Sequence, residues 1–382
     1  MLQHQSYDYV FLGAGCASLS IIMRMLENRQ FADKKILLID KAAKTQNDRT
    51  WCYWESGEGF FEGIIHKKWD TISFFSSDYS SDMTITPYQY KMIRGVDFYN
   101  YCFDKISAYP SVELVYGEVK SFSRSGNKFT LSIDGETKIL DAGIVFNSIV
   151  QPDRNEKKNI QLLQHFKGWV IETDNDTFNT EVATMMDFRV PQNKGTTFAY
   201  VLPFDKRTAL VEYTLFTREL LSQAEYDAGL NLYIQGYLGL KNYRVTETEF
   251  GIIPMTSRRF YFEENEIYNI GTAGGQTKAS SGYTFQFIQK QAQRIVDFLS
   301  KGKELSQLPL SSRRFRFYDN VLLHILYYNK LPGDSIFSRL FKSNEPQKVL
   351  KFLDNETSLA EELKIISTLP TMPFLKAALK QL

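Results

Sequence analysis

Two sets of residues in this 382-residue sequence have the types and spacing that catalysis or cofactor binding needs. A glycine turn at residues 13–15 directly follows the apolar run of residues 9–12, and Asp40 ends a second apolar run. Far along the chain, Glu212 stands among apolar residues. The glycine turn and the acid after it are typical of sites that hold a pyrophosphate and a ribose. A carboxylic acid in apolar surroundings is a candidate general acid.

The elements around the glycine turn predict a β-α-β unit. Residues 7–12 and 36–39 have the apolar runs of buried strands, and apolar residues recur at helical spacing between residues 19 and 26. Gly13 permits the tight turn, and Gly15 lets the backbone approach a pyrophosphate at the helix N-terminus. We therefore predict a dinucleotide site; the alternative is a tight turn that holds no ligand.

Two further features modify this prediction. The third glycine of the dinucleotide fingerprint is Ser18 here, and serine is small enough for close packing of the helix on the strand. A second glycine-rich segment, residues 271–275, lies between a predicted strand at 267–270 and a predicted helix that begins near residue 285. It can place another helix N-terminus at a phosphate or a flavin edge. The alternative is a connection that serves close packing only.

A series of β-rich segments predicts a second sheet that carries the candidate acid. The segments rich in Val, Thr, Phe and Tyr are 168–172, 184–190, 196–202 and 208–216. By period two, Leu210, Thr214 and Phe216 share one strand face with Glu212. Burial of that face would raise the pKa of Glu212 and keep the carboxyl group protonated. The alternative places Glu212 in solvent or beside a basic residue, and Asp187 raises the same question.

Composition and charge exclude several classes of protein. The net charge is +1, so no global positive field attracts nucleic acid. Three cysteines do not make a disulfide framework, and four histidines lack metal-ligand spacing, so we predict no metal site. No signal peptide and no apolar run long enough to span a membrane are visible, which predicts a cytoplasmic protein. Aromatic residues make up 14%, which favours either core packing or a flat apolar ligand.

The ordered set of motifs resembles the flavin-dependent lycopene cyclases, which belong to the wider group of aromatic-hydroxylase-like FAD folds. The resemblance extends over roughly residues 7–300. The motifs that carry it are residues 7–15, 48–51, 164–169, 186–189, 198–204, 210–214, 251–255 and 271–275. Each motif alone is weak evidence for this family. The order in which they occur along one chain is specific to it.

This resemblance implies an α/β (α+β) fold in three parts. A Rossmann-like FAD-binding domain would comprise residues 1–75, 92–160 and 250–300. An inserted antiparallel substrate-binding sheet would comprise residues 76–91 and 161–249, and residues 301–382 would form C-terminal helices. FAD is the implied cofactor, active in its reduced form with NAD(P)H as the reductant. The implied partner is lycopene or another carotene with linear ends.

The resemblance also assigns residues to roles. Glu212 falls on the family's acid motif, with Asp187 as a supporting polar residue. The expected cofactor residues are Gly13, Ala14, Gly15, Cys16, Ala17, Ser18, Asp40, Lys41, Thr50, Trp51, Arg94, Gly271, Thr272, Ala273, Gly274 and Gly275. For Arg94 the alternative is a solvated surface position. The expected substrate contacts, whose rings could stabilise a passing cation, are Phe198, Tyr200, Tyr213 and Phe216.

The implied reaction converts the linear ends of lycopene to β-ionone rings with no net redox change. Two departures bear on the alternatives. Asn147-Ser148 replaces the Asp-Gly pair common in flavin hydroxylases of this fold, and Gly271-Thr272 replaces a common Gly-Asp pair. The alternatives are an FAD-dependent hydroxylase or isoprenoid reductase, and a non-catalytic carotenoid-binding flavoprotein. Whether one or both ends react, and the oligomeric state, stay open.

The C-terminal part has a local excess of basic charge. Residues 301–350 contain nine Lys and Arg against four Asp and Glu, interleaved with aromatic residues. Basic and aromatic helices suit an anionic membrane surface, and lycopene is insoluble in water. We therefore predict contact with a membrane surface, with peripheral location on the inner face of the cell membrane as an open possibility. The alternative is a helical cap packed on the rest of the protein.

Overall fold

The computed structural model describes residues 2–151, 158–309 and 312–381. The strands are β1 (Ser6–Leu12), β2 (Ile36–Asp40), β3 (Thr50–Ser56), β4 (Lys67–Trp69), β5 (Thr71–Phe75), β6 (Ser80–Thr84), β7 (Tyr88–Arg94), β8 (Val112–Tyr116), β9 (Val119–Ser125), β10 (Lys128–Ile133), β11 (Glu136–Asn147), β12 (Gln161–Glu172), β13 (Val182–Asp187), β14 (Thr196–Pro203), β15 (Thr208–Thr217), β16 (Arg244–Thr256), β17 (Glu263–Glu264) and β18 (Ile267–Asn269). The helices are α1 (Cys16–Leu26), α2 (Gly95–Ser107), α3 (Gln223–Gly236), α4 (Phe285–Ser300), α5 (Arg313–Tyr327), α6 (Gly333–Ser343), α7 (Pro346–Leu353), α8 (Leu359–Ser367) and α9 (Thr371–Leu379).

The first sheet contains the predicted β-α-β unit. Its main path runs β17-β18-β11-β1-β2-β8, and β1 is parallel to both of its neighbours. Both faces of β1 and β2 are covered, by α1 and α4 on one side and by β10 on the other. Burial on both faces explains their nearly continuous apolar runs. The predicted Rossmann-like α/β fold is confirmed.

Residues 112–125 form two strands of this sheet, β8 and β9, on either side of a turn. The chain turns at Gly117, whose N–H donates to the carbonyl oxygen of Asp40 at 2.8 Å.

The second sheet runs in the order β16-β12-β15-β14-β13-β5-β6. Its strands pair antiparallel except for β13 and β5, which are parallel. Helix α3 packs on one face through Tyr226, Leu230 and Tyr233, and the C-terminal helices pack on the other. The strands β5 and β16 belong to this sheet, although parts of both lie in the predicted FAD-binding ranges. The predicted domain boundaries stay a prediction.

A smaller third sheet, β3-β7-β4, lies between these two units in the chain and carries residues of the site described below. The first residues of β3, Thr50 and Trp51, pair with Arg94 and Ile93 of β7. Helix α2 begins directly after β7, so the third sheet is tied to the covering helices of the first.

The C-terminal helices form a cap on the second sheet. Phe337 of α6 stacks on Phe188, with ring centroids 5.6 Å apart, and Phe341 lies 4.8 Å from Phe74. The aromatic residues of this basic segment therefore serve packing at these positions. The large apolar residues left exposed are on α8 and α9: Leu359, Leu363, Met372, Leu375 and Leu379. Among the described residues, the model has no helix of the length and apolarity that a membrane crossing requires. Membrane contact stays a prediction.

Candidate active site

A cavity of about 380 Å³ lies between the second and third sheets, next to the segment that follows β18. The first residues of β3 form one wall, and β12, β15 and β16 of the second sheet form another. The segment after β18 and the start of α4 close a third side. The lining residues used below are Thr50, Trp51, Cys52, Phe166, Tyr200, Leu210, Glu212, Thr272 and Tyr283. The walls combine aromatic and aliphatic side chains with polar ones such as Arg49, Gln164 and Thr277, and the size of the cavity is typical of a small-molecule site.

Glu212 lies in the wall of this cavity, on the face of β15 that period two predicts. Leu210 lines the same cavity, and Thr214 donates a hydrogen bond of 2.5 Å to Glu212 Oε1. Burial, and then the neighbouring carboxyl group of Glu249, raises the pKa of Glu212 well above its ordinary value. The raised pKa favours the protonated form of this carboxyl group, which lies in the cavity wall beside Leu210 and opposite Tyr200.

A second buried carboxyl group, Glu249, is absent from the sequence predictions. It lies on β16, is 6% exposed, and accepts a hydrogen bond of 2.6 Å from Thr50 Oγ1. Burial raises the pKa of Glu249, while the hydrogen bond from Thr50 opposes this rise. The available signal was period two along β16, which places Glu249 on the same face as Gly251 and Ile253 of the cavity wall.

Of the four predicted substrate contacts, the structure brings Tyr200 to the cavity. Tyr200 of β14 stands directly opposite Glu212 in the strand register. Phe198 and Phe216 lie on the same face, but their rings pack together at 5.3 Å beneath the C-terminal cap. Tyr213 was expected to contact the substrate, but it points to the opposite face of the sheet and packs under α3. The other aromatic residues that line the cavity, none of them assigned to the substrate from the sequence, are Trp51, Tyr90, Phe166, Phe250, Tyr283 and Phe285.

Asp187, expected as a supporting polar residue, lies on the α3 face of the second sheet and is not part of the cavity wall. It is fully buried, forms an ion pair with Arg189, and accepts a hydrogen bond of 2.8 Å from Tyr233 of α3. Tyr233 belongs to the cluster on the α3 face, opposite the cavity. The side chain therefore ties β13 to the covering helix, and the structure does not place it where a substrate proton would move.

The glycine turn after β1 has the geometry that a pyrophosphate site needs. Gly13 has a φ of +90°, and Gly15 is the N-cap of α1, with no atom within 4 Å of an added Cβ. The backbone N–H of Ala14 donates to Asp40 Oδ2 at 2.7 Å, and Lys44 pairs with Asp40 Oδ1. Each carboxylate oxygen has more than one acceptor site, so these contacts leave Asp40 able to accept a ribose hydroxyl. The residues present fit a dinucleotide.

The other expected cofactor residues lie in three places. Cys16, Ala17 and Ser18 are buried in the first turn of α1, and Lys41 is exposed after β2. The late segment forms a 3₁₀ turn over Gly271–Gly274, which includes Ala273, and ends in Gly275 with a φ of +74°. An added Cβ at Gly271 would lie 3.1 Å from Ala17 Cβ, so the two glycine segments are in contact.

Thr272 of that late segment lines the cavity beside Thr50 and Trp51. The late segment therefore contacts the first turn of α1, next to the dinucleotide turn, and also reaches the cavity that contains Glu212. Arg94 forms an ion pair with Glu247 and is not part of the cavity wall.

The parallel sheet with its glycine turn, joined to a second sheet across the cavity, is a Rossmann-type fold. Solved structures from two organisms, among others, share it. One is a geranylgeranyl bacteriochlorophyll reductase-like protein from Thermoplasma acidophilum, with a TM-score of 0.61, 11% identity, and coverage of 99% of this chain and 100% of that one. The other is a flavoprotein/dehydrogenase from Cytophaga hutchinsonii, with a TM-score of 0.58, 14% identity, and coverage of 95% and 99%. At these identities, the likeness concerns the fold alone.

Sequence comparison gives the narrower class. The family model of the lycopene cyclase protein matches residues 8–379. The chain belongs to the lycopene cyclase family, which confirms the family expected from the motifs. A relative in potato (Solanum tuberosum), the chloroplastic neoxanthin synthase, is 23% identical over 318 residues. That match covers 78% of this chain and only 61% of the length of the relative.

Proposed function

We propose that this protein binds FAD at the glycine turn after β1, with the flavin end reaching toward the cavity. The support is the open N-terminus of α1 at Gly15, the acid Asp40 at the end of β2, and the contact between the two glycine segments. Backbone N–H groups at a helix N-terminus would bind the pyrophosphate. Thr272 and Thr50 would offer hydroxyl groups at the cavity end.

One substitution tests this cofactor site. Replacing Gly13 by alanine should abolish FAD binding, because a side chain at a φ of +90° is strained and its Cβ would lie 2.3 Å from Ser148 Oγ. The strain alone should cost about 1–2 kcal/mol of stability. FAD titration by fluorescence and thermal unfolding measure the two effects. Gly63→Ala is the matched control, since an added Cβ there meets no atom within 4 Å. Unchanged FAD affinity in Gly13→Ala would place the cofactor elsewhere.

We propose further that the protein cyclises linear ends of lycopene, or of a similar carotene, to β-ionone rings. The observation that carries this is the carboxyl group of Glu212 in the cavity wall, opposite Tyr200, where burial raises its pKa. Glu212 would donate its proton to the terminal double bond, which leaves a tertiary carbocation. The next double bond attacks that centre and closes the six-membered ring, and loss of a ring proton gives the β end group.

The cavity residues support this sequence of steps in two ways. Trp51, Phe166 and Tyr200 present aromatic rings to the space in front of Glu212, and ring faces stabilise cations. Apolar side chains such as Leu202, Leu210 and Ile253 cover part of the wall and would keep water away from the cation there. Reduced FAD, when bound, would supply negative charge close to the cation. One proton enters and one leaves, so the reaction needs no net oxidant.

The experiment is an anaerobic assay with purified protein, chemically reduced FAD and lycopene. We expect a cyclic product of unchanged mass, with neither oxygen nor NADPH consumed in proportion to it. A hydroxylase would need oxygen and add its mass, and an isoprenoid reductase would add hydrogen at the expense of NADPH. A carrier would bind the pigment without converting it. Either of the redox products, or binding alone, would refute the cyclase proposal.

A further inference from the structure

The two buried carboxyl groups of the cavity stand on either side of one glycine. In the second sheet, Gly168 of β12 pairs with Glu212 on β15 and with Glu249 on β16. Side chains at paired positions of neighbouring strands point to the same face of the sheet. The three positions therefore form one row across the sheet, and the residue between the two acids has no side chain.

The space above Gly168 is occupied by the side chains of Glu249 and Leu210. An added Cβ at this position would lie 2.9 Å from Glu249 Cγ and 3.0 Å from Leu210 Cδ1. Glu249 therefore leans over the glycine toward the strand that carries Glu212. Any larger residue at Gly168 would separate the two carboxyl groups.

The hydrogen bonds of Glu249 are asymmetric. Its Oε2 accepts the hydroxyl of Thr50, whereas its Oε1 is buried and has no hydrogen-bond partner in the part of the chain that the structure describes. A buried carboxylate oxygen without a donor is costly, and a protonated neighbour is a suitable donor. The basic side chains around the pair each have another acidic partner: Arg94 pairs with Glu247, Lys167 with Asp227, and Arg49 of the cavity wall with Asp48. Of these, Arg94 acts on Glu249 and partly opposes the rise of its pKa.

We propose that Glu249 is a positioning residue that shares one proton with Glu212 across Gly168. In this arrangement, Thr50 holds Glu249 as the charged partner, and Glu212 keeps the proton that the reaction uses. Charging two neighbouring carboxyl groups at once costs a large electrostatic free energy. One of them therefore keeps its proton to a higher pH. After Glu212 gives up its proton, repulsion from Glu249 favours its reprotonation and readies the site for another turnover.

The inference rests on the proposed cyclase function for its kinetic test. In Glu249→Gln, Glu212 loses its charged neighbour and should lose its proton at lower pH. The alkaline limb of the kcat/KM profile should then shift downward by about 1–3 pH units, while activity on the acid side persists. Glu249→Asp retains the charge. The alkaline limb of its kcat/KM profile should therefore lie closer to that of the parent.

Glu172→Gln is the matched control, because it removes a carboxylate from the same sheet at an exposed ion pair with Arg244. Its profile should coincide with that of the parent. If Glu249→Gln lowered activity equally at every pH, or left the profile unchanged, Glu249 would have a packing role only and the proposal would be wrong.

A second readout needs neither substrate nor turnover. Infrared difference spectra of the substrate-free protein report the C=O band of a buried carboxylic acid as the pH is raised. The band should persist at neutral pH in the parent, disappear in Glu212→Gln, and titrate at lower pH in Glu249→Gln. This result would support the shared proton even if no cyclisation were found. A band that titrates identically in the parent and in Glu249→Gln would overturn it.

Discussion

Glu212→Gln is expected to remove ring formation while leaving the fold intact. Glutamine has the shape of the protonated acid but no proton to give, so turnover should fall by at least about 10²–10⁴-fold, the usual contribution of a general acid. Pigment analysis of lycopene-producing cells that express the parent or the variant shows the effect directly. The parent should yield cyclic carotene, and the variant should accumulate lycopene. Full cyclisation by the variant would remove Glu212 from the mechanism.

The same variant should change the pH dependence of stability in a defined direction. Because burial raises the pKa of Glu212 above its ordinary value of 4.5, the folded protein keeps a proton that the unfolded chain loses. The parent therefore loses stability as the pH rises from 4.5, the pKa of this group in the unfolded chain, to its higher pKa in the folded protein. Glu212→Gln has no proton to lose, so it should be at least as stable as the parent at neutral pH. Urea unfolding at several pH values measures this difference.

Asp187→Asn is expected to behave in the opposite way to Glu212→Gln. It should lose much of its stability, while the molecules that remain folded keep most of their activity. Asp187 is fully buried, and the substitution weakens its ion pair with Arg189 and removes an acceptor from Tyr233. Breaking a buried ion pair costs about 3–5 kcal/mol. Arg189 is 37% exposed and regains water, so the free energy of unfolding should fall by an amount at or below the low end of that range, about 2–3 kcal/mol.

The matched control for Asp187 is Asp176→Asn, which removes a carboxylate from an exposed ion pair with Arg207 and should hardly change the unfolding midpoint. Urea unfolding gives the stability of both variants, and the anaerobic assay gives their activity per folded molecule. A stable Asp187→Asn protein that has lost turnover would show that Asp187 acts in the reaction, in spite of its place under α3.

The sequence by itself determined the local features. The β-α-β unit and its glycine turn were predictable because apolar periodicity and the special conformation of glycine act over a few residues. The face of β15 that carries Glu212 was predictable because side chains alternate with period two along any strand. The order of short motifs sufficed for the family, and both the family and the fold are confirmed.

Only the tertiary structure decided which faces meet the cavity. Alternation places Tyr213 and Glu212 on opposite faces, but the packing of α3 and of the C-terminal cap determines which face is covered by what. Asp187 lies under α3 for the same reason. Glu249 escaped prediction because its partner is on another strand, and the register of β12 with both β15 and β16 brings the two acids together. Strand register depends on contacts between residues far apart in the chain, which no local pattern records.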